Sequence, residues 1–252
     1  ALLAAVSRVS GLSARTSGFF TAQDSNSGSQ SEIIPFVIDT DTFRTNLGLN
    51  NLSGTVANVQ IALFDQDGNT RASTAAPIHV APQGMVQING ILRFLINGSS
   101  NSGLTNQQGY LRITSDQPIK AFATQIHNAS QDPSIENSLS TGSSHLLLKS
   151  SANLNFQSTL VIVNPNNSPV TATIRSRQGG TNGNGSITAT QSINIAAKGY
   201  FVSDNILQSL GATSSFGPIE ILSDPGSPLI AVSRVYSVSG NTSGFFNAEP
   251  LP

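Results

Sequence analysis

The chain has 252 residues, 38% of them hydrophobic, which is enough for two cores of ordinary size. Only 10% are charged and the net charge is −1, so neither a basic nucleic-acid face nor a polybasic membrane contact is built into it. Cysteine is absent, which excludes a disulfide framework, thiolate metal ligation and a cysteine nucleophile, and no apolar stretch reaches the roughly eighteen residues of a membrane span.

The first element in chain order is a strand. Leu2, Leu3, Val6 and Val9 are apolar, and the stretch Ala5–Phe20 reads AVSRVSGLSARTSGFF. Next, Phe43 opens the strand FRTNLGLNN, which ends at Asn51. Val59, Ile61 and Leu63 alternate as a half-buried strand does. Asp65-Gln-Asp67-Gly68-Asn69 then reads as a hairpin turn, with Gly at a position that favours positive φ. Ile91, Leu92 and Leu95 carry helical spacing for one or two turns. Strands follow at Gly109–Asp116 and from Pro118, the latter running into AFATQIHNASQDPSIEN from Ala121.

The same order then recurs. Phe156 lies 113 residues after Phe43, and Ser158–Asn164 matches Thr45–Asn51. Val170, Ala172 and Ile174 match Val59, Ile61 and Leu63, and Ile206, Leu207 and Leu210 match Ile91, Leu92 and Leu95. Burial at equivalent sites is expected for Phe43 and Phe156, Leu47 and Leu160, Leu63 and Ile174, and Ile113 and Ile221. The second copy ends in AVSRVYSVSGNTSGFF, from Ala231 to Phe246. Ala5 and Ala231 are 226 residues apart, twice 113, and 12 of 19 positions from Ala5 to Gln23 recur from Ala231 to Glu249. The chain therefore holds two bodies and three copies of a closing strand.

Short strands with Gly, Asn and Ser turns predict an all-β fold: two tandem immunoglobulin-like antiparallel β-sandwiches plus an extra N-terminal strand. The expected divisions are an N-terminal strand segment at 1–23, a first sandwich at 24–141 and a second at 142–252. The phrases FRTNLGLNN…VQIALFDQDGNT and PLIAVSRVYSVSGNTSGFFNAEPLP resemble a tandem repeat of secreted bacterial multidomain proteins. That resemblance implies a sandwich fold and export to the cell surface or medium, and it implies no activity. Removal of a signal peptide fits the start at Ala1.

Chemistry is sparse. An EF-hand reading of Asp65–Asn69 needs a Glu eleven residues after Asp65, where Ala76 stands. Asp39 and Asp41 form a second short acidic pair in a loop. His79, His127 and His145 lack ligand spacing, and no nucleophile elbow is present. Asn-x-Ser/Thr sequons stand at Asn51, Asn97, Asn128, Asn184 and Asn241. No metal or cofactor is expected, and no enzymatic activity. Arg8 and Arg234 are expected on the outward faces of their strands, and Phe19-Phe20 and Phe245-Phe246 at the end of a core.

A surplus strand needs an edge to pair with. The expected role is a structural subunit of an extracellular filament or cell-surface layer, polymerising with itself head to tail by strand addition. The interface residues would be Leu2, Leu3, Val6, Arg8, Val9, Phe19 and Phe20. The alternative is a non-catalytic binding module from a larger secreted protein, with a surface glycan as its partner.

Overall fold

The computed structural model describes residues 5–11, 16–22, 27–152, 155–180, 183–212, 216–237, 239 and 242–251. The protein is all-β with two short helices. It divides into two compact units, one of Ala1–Leu63 and Thr70–Ser140 and the other of Phe64–Asn69 and Thr141–Pro252.

Unit 1 begins with a hairpin of β1 (Val6–Gly11) and β2 (Thr16–Thr21), which form a two-stranded sheet. The expected lone N-terminal strand is thus a hairpin: Gly18 and Phe19 turn back onto Val9 and Arg8, satisfying one edge of each strand. The body follows with β3 (Ser29–Asp39), β4 (Phe43–Asn51), β5 (Ala57–Phe64), β6 (Thr70–Ser73), β7 (Ile78–Val80) and β8 (Met85–Ile88). Then come α1 (Ile91–Asn97), β9 (Gln107–His127) and β10 (Pro133–Asn137). β9 has 21 residues and serves two layers. Its first half pairs with β3, and its second half pairs with β4 on one edge and β10 on the other. Ile34, Leu47, Leu49, Val59, Ile61, Leu111, Ile113 and Ala121 meet in one core, with Ile91, Leu92 and Leu95 of α1 closing it.

Unit 2 repeats this order with β11 (His145–Ala152), β12 (Phe156–Val163), β13 (Val170–Arg177), β14 (Ile187–Ile195), β15 (Tyr200–Ser203) and α2 (Ile206–Ser209). β16 (Phe216–Leu222), β17 (Ile230–Ser237), β18 (Thr242–Asn247) and β19 (Glu249–Pro250) complete it. Here β16 and β17 are separate strands. The intervening stretch is Ser-Asp-Pro-Gly-Ser-Pro, which removes two amide donors and supplies a turn, whereas β9 carries only Pro118 at that place. The sheets are β14-β13-β16-β11-β19 and β15-β12-β17-β18. Both feed one core: Leu146, Leu148, Ala172, Ile174, Ile219 and Ile221 from the first, Leu160, Ile162 and Ala231 from the second. Two sheets burying one face each is sandwich packing. Here β16 and β17 lie in different sheets, because the chain crosses over at the Pro-Gly-Ser-Pro turn.

Leu47, Leu160, Leu63, Ile174, Ile113 and Ile221 are all buried. Ile174 nevertheless matches Ile61 rather than Leu63, because Ala57 pairs with Val80 as Val170 pairs with Ile195. Phe43 is buried, edge-on to His127. Phe156 is 44% exposed: it stands opposite Ser237, which offers no ring to pack on.

One side chain is used identically in both units. Asn51 Nδ2 donates to the carbonyls of Thr55 at 2.6 Å, Val80 at 3.1 Å and Ala81 at 3.0 Å, and its Oδ1 accepts from Ser53 N at 2.9 Å. Asn164 Nδ2 donates to Ser168 O at 2.9 Å, Ile195 O at 3.3 Å and Ala196 O at 2.8 Å, and its Oδ1 accepts from Asn166 N at 3.0 Å. Each Asn stands at the end of the strand β4 or β12 and ties it to the following turn and to the end of a later strand, β7 or β14. Asn51 is therefore a buried staple, not an accessible glycan acceptor.

Asn164→Asp replaces the amide donors with a carboxylate facing three carbonyl oxygens. With about 1–3 kcal/mol for each buried group left unsatisfied, unit 2 should lose at least about 3 kcal/mol of stability. Hydrogen exchange read separately over β12–β15 and over β4–β8 measures this, with protection falling in unit 2. A loss under about 1 kcal/mol would show that Asn164 is not a staple.

Candidate functional site

The repeated hairpin is the feature that unites the chain. In β1–β2, Val6 faces Thr21, Ser7 faces Phe20, Arg8 faces Phe19 and Val9 faces Gly18. In β17–β18, Val232 faces Asn247, Ser233 faces Phe246, Arg234 faces Phe245 and Val235 faces Gly244. In the middle copy, Phe122 faces Asn137, Ala123 faces Glu136, Thr124 faces Ile135 and Gln125 faces Ser134. The three hairpins share one register. From Val6 to Phe122 is 116 residues and from Phe122 to Val232 is 110, so the regular period of 113 is a mean, not a step.

Their outer edges differ. The middle hairpin pairs through β9 with β4, from Phe43 opposite His127 to Asn51 opposite Ile119. The last pairs through β17 with β12, from Phe156 opposite Ser237 to Val163 opposite Ile230. The first forms a sheet only with itself, and β2 runs beside β10. The consequence is visible in four identical residues. Ala231, Val232, Ser233 and Arg234 are buried, while Ala5, Val6, Ser7 and Arg8 are exposed. Val6 is 67% exposed against 0% for Val232.

The structure thus places Val6 and Arg8, together with the backbone of Val9, on one exposed strand, with the backbones of Phe19 and Phe20 on its partner. Leu2 and Leu3 lie outside the described residues, as do the side chains of Val9, Phe19 and Phe20. In the last hairpin, Phe245 is half-buried and Phe246 is 44% exposed, and neither joins the core. The aromatic pair therefore does not cap the sandwich, because β18 is the edge strand of its sheet. Arg234 shares strand parity with Val232, away from Ala231 and the core, yet it is buried, with its guanidinium carbon 6.0 Å from the Tyr236 ring centre.

The motif strand β4 uses each opening residue for a separate tie. Arg44 donates to Asn128 Oδ1 and Gln131 Oε1, both at 2.8 Å. Thr45 Oγ1 donates to Ile38 O and accepts from Ile38 N, each at 2.9 Å. Asn46 Oδ1 accepts from Gly90 N at 2.9 Å. Asn128 also donates to Thr40 O and Asp41 O, and Asn97 to Ser102 Oγ and Gly103 O, so both sequon amides serve loops.

The acidic groups have structural partners. Asp65 Oδ1 accepts from Asp67 N at 3.1 Å and Asn69 N at 2.8 Å, with Gly68 at φ +84°, which is a closed turn. Asp39 is buried, held by Arg93 at 2.8 Å and by Thr105 N and Oγ1 at 2.8 and 3.1 Å. Lys120 and Glu32 form a buried pair at 3.0 Å. His79 Nδ1 meets Asn58 Oδ1 at 2.7 Å, and His127 Nδ1 meets Ser130 Oγ at 2.9 Å inside the β9–β10 turn. Among the described residues no three His, Cys, Asp or Glu side chains cluster as a metal site.

Sequence reasoning missed one network altogether. Glu220 on β16 is held by His145 Nε2 at 2.8 Å, Arg177 at 2.9 Å and Arg175 at 3.5 Å, from β11 and β13 on either side. Burial pushes the Glu220 carboxyl up, but hydrogen bonds from His145 and Arg177 and their charge outweigh it and hold the group below its ordinary value.

No protein-family profile matches the chain, and no curated protein does. Among solved structures, a calcium-binding mutant of Bacteroides uniformis β-glucuronidase 2 is 10% identical with a TM-score of 0.16, covering 84% of this chain and 25% of that one. The same enzyme covalently bound to cyclophellitol-6-carboxylate aziridine is 10% identical with a TM-score of 0.18, covering 96% and 25%. This chain thus spans about a quarter of the length of those chains, and likeness at that level carries no argument.

Because the Glu220 value is depressed on folding, its contribution is present above the unfolded-chain value of about 4.3 and is lost as pH falls through the lower folded value. The melting temperature of unit 2 should therefore drop on acidification below that range, and Glu220→Gln should flatten part of the slope. Identical slopes for the two proteins, measured by calorimetry, would show that Glu220 carries none of the acid sensitivity.

Proposed function

We propose that this chain is a non-catalytic structural protein: a two-sandwich subunit of an extracellular fibre or surface layer, assembling with further copies of itself. The N-terminal hairpin β1–β2 adds to the sheet of a neighbouring copy, head to tail. One observation carries the reading. The sequence Ala-Val-Ser-Arg is buried where β17 lies against β12 and exposed where β1 lies against β2 alone. A strand edge with apolar side chains is a template for another chain. A contact between two different surfaces of one subunit propagates instead of closing.

Composition supports the same reading. With 10% charged residues and a net charge of −1, copies repel one another little. Resemblance of the motif strands to repeats of secreted bacterial proteins supports an extracellular setting.

Sedimentation velocity of the full chain over a concentration series should show growing species, with filaments by electron microscopy. Val6→Asp places a charge in the seam and should leave a monomer with unchanged melting temperature, since Val6 is exposed in the subunit. A wild-type chain that stays monomeric up to about millimolar concentration overturns the proposal, as does a Val6→Asp protein that assembles like wild type.

A further inference from the structure

Resting on the self-association reading, we infer which edge receives the hairpin: β12 of a second copy, in place of that copy's own β17–β18. Two body strands are shaped for a closing hairpin, β4 and β12. Both are occupied in the subunit, by β9 and by β17. To take either place the hairpin exchanges for the resident strand, and the side chains decide which.

On the shared register, Val6 takes the place of Val232, opposite Val161, or of Phe122, opposite Gly48. The β4 position is cut for an aromatic ring. A Cβ added to Gly48 would lie 2.3 Å from two carbons of the Phe122 ring, so the ring fills the space a side chain would take. Valine there leaves Gly48 without the ring that covers it. Opposite Val161, valine is already the resident. The next outward-facing position discriminates in the same sense. Arg8 replaces Arg234, opposite Thr159, or Thr124, opposite Asn46. Ala5, Ser7 and Val9 likewise equal Ala231, Ser233 and Val235. Five consecutive residues thus fit the β12 edge as well as its own strand does, whereas the β4 edge is matched at Gly48 to a ring that Val6 lacks.

Exchange conserves the ladder pairings and the buried side chains at those positions. The balance is then set by concentration, because the resident hairpin is tethered through residues 223–229 and enjoys an effective concentration of about a millimolar. The rate is set by opening of β17–β18, which must leave before β1 enters. Exchange of an equivalent element between copies is domain swapping, and here each displaced C-terminal hairpin becomes the sticky element of its own subunit.

The test uses two full-length variants in a chain that has no cysteine of its own. Gln157 pairs with Tyr236, the position Ser10 takes after exchange, and Gln157 is exposed. Ser10→Cys and Gln157→Cys chains are mixed at high concentration, passed through mild denaturant and treated with a short thiol-to-thiol cross-linker. A Ser10→Cys/Gln157→Cys heterodimer is expected, its yield rising with concentration and lost when Val6→Phe is added to the Ser10→Cys chain. Cross-linking of Ser10→Cys chains to each other alone would place β1 against β1 and overturn the inference. Absence of cross-linking while sedimentation still shows growing species would overturn the acceptor but leave self-association standing. Absence of both would overturn self-association as well.

Discussion

In each unit the strand that opens the motif, β4 or β12, is flanked by a short strand on one side and by the last hairpin of the unit on the other. That second ladder is the interaction on which the rest depends. It joins residues far apart in sequence, Phe43 with His127 and Phe156 with Ser237, it brings Ala121 or Ala231 into the core, and it covers one edge of the motif strand along its whole length. Asn51 and Asn164 then fix the end of the same strand to the turns beyond it. A unit is closed only when its last hairpin is seated. A hairpin without a motif strand beside it keeps the exposure that β1 shows.

The repeat was legible because identical chemistry recurs at nearly constant spacing, and the all-β fold followed from alternation and turns. The closing element was misjudged as a single strand. Its returning half, Thr16–Thr21, is rich in Ser, Gly and Thr and lacks the alternating apolar pattern that marks a half-buried strand. The pairing of Leu63 with Ile174 slipped by two residues, since a shift by two keeps every side chain on its own face and leaves the pattern unchanged. The Asn staple was visible as the same residue ending the same strand twice, but its Leu-Ser context in the first copy made it read as a sequon. Glu220 was invisible for a different reason. Its partners sit on β11 and β13, joined to it only by sheet order, and no local pattern announces a cross-strand charge cluster.

The ionic groups show how far the two copies have diverged beneath a shared backbone. Unit 1 spends its charges on Glu32 with Lys120 and on Asp39 with Arg93, while unit 2 gathers His145, Arg175 and Arg177 around Glu220. A buried pair is costly to break because it strands a charge. These networks therefore tie each body to its own strands. The hairpin ladders, by contrast, have main-chain pairing in one register across all three copies.

That difference gives the proposed assembly a direction. Phe122 and Gly48 are a matched large and small pair, and Val232 and Val161 are a matched medium pair. Phenylalanine opposite the buried Val161 overfills the seam, and valine opposite Gly48 leaves uncovered the backbone that the half-buried Phe122 ring covers. The middle hairpin is thereby confined to its own unit. Only the first and last hairpins share the Ala-Val-Ser-Arg-Val face, so only they compete for one acceptor. In the proposed assembly the β1–β2 hairpin of one copy therefore meets β12 of another, two different surfaces of the subunit. Gly48 with Phe122 thus sets the middle hairpin apart from the first and last, which carry valine at that place.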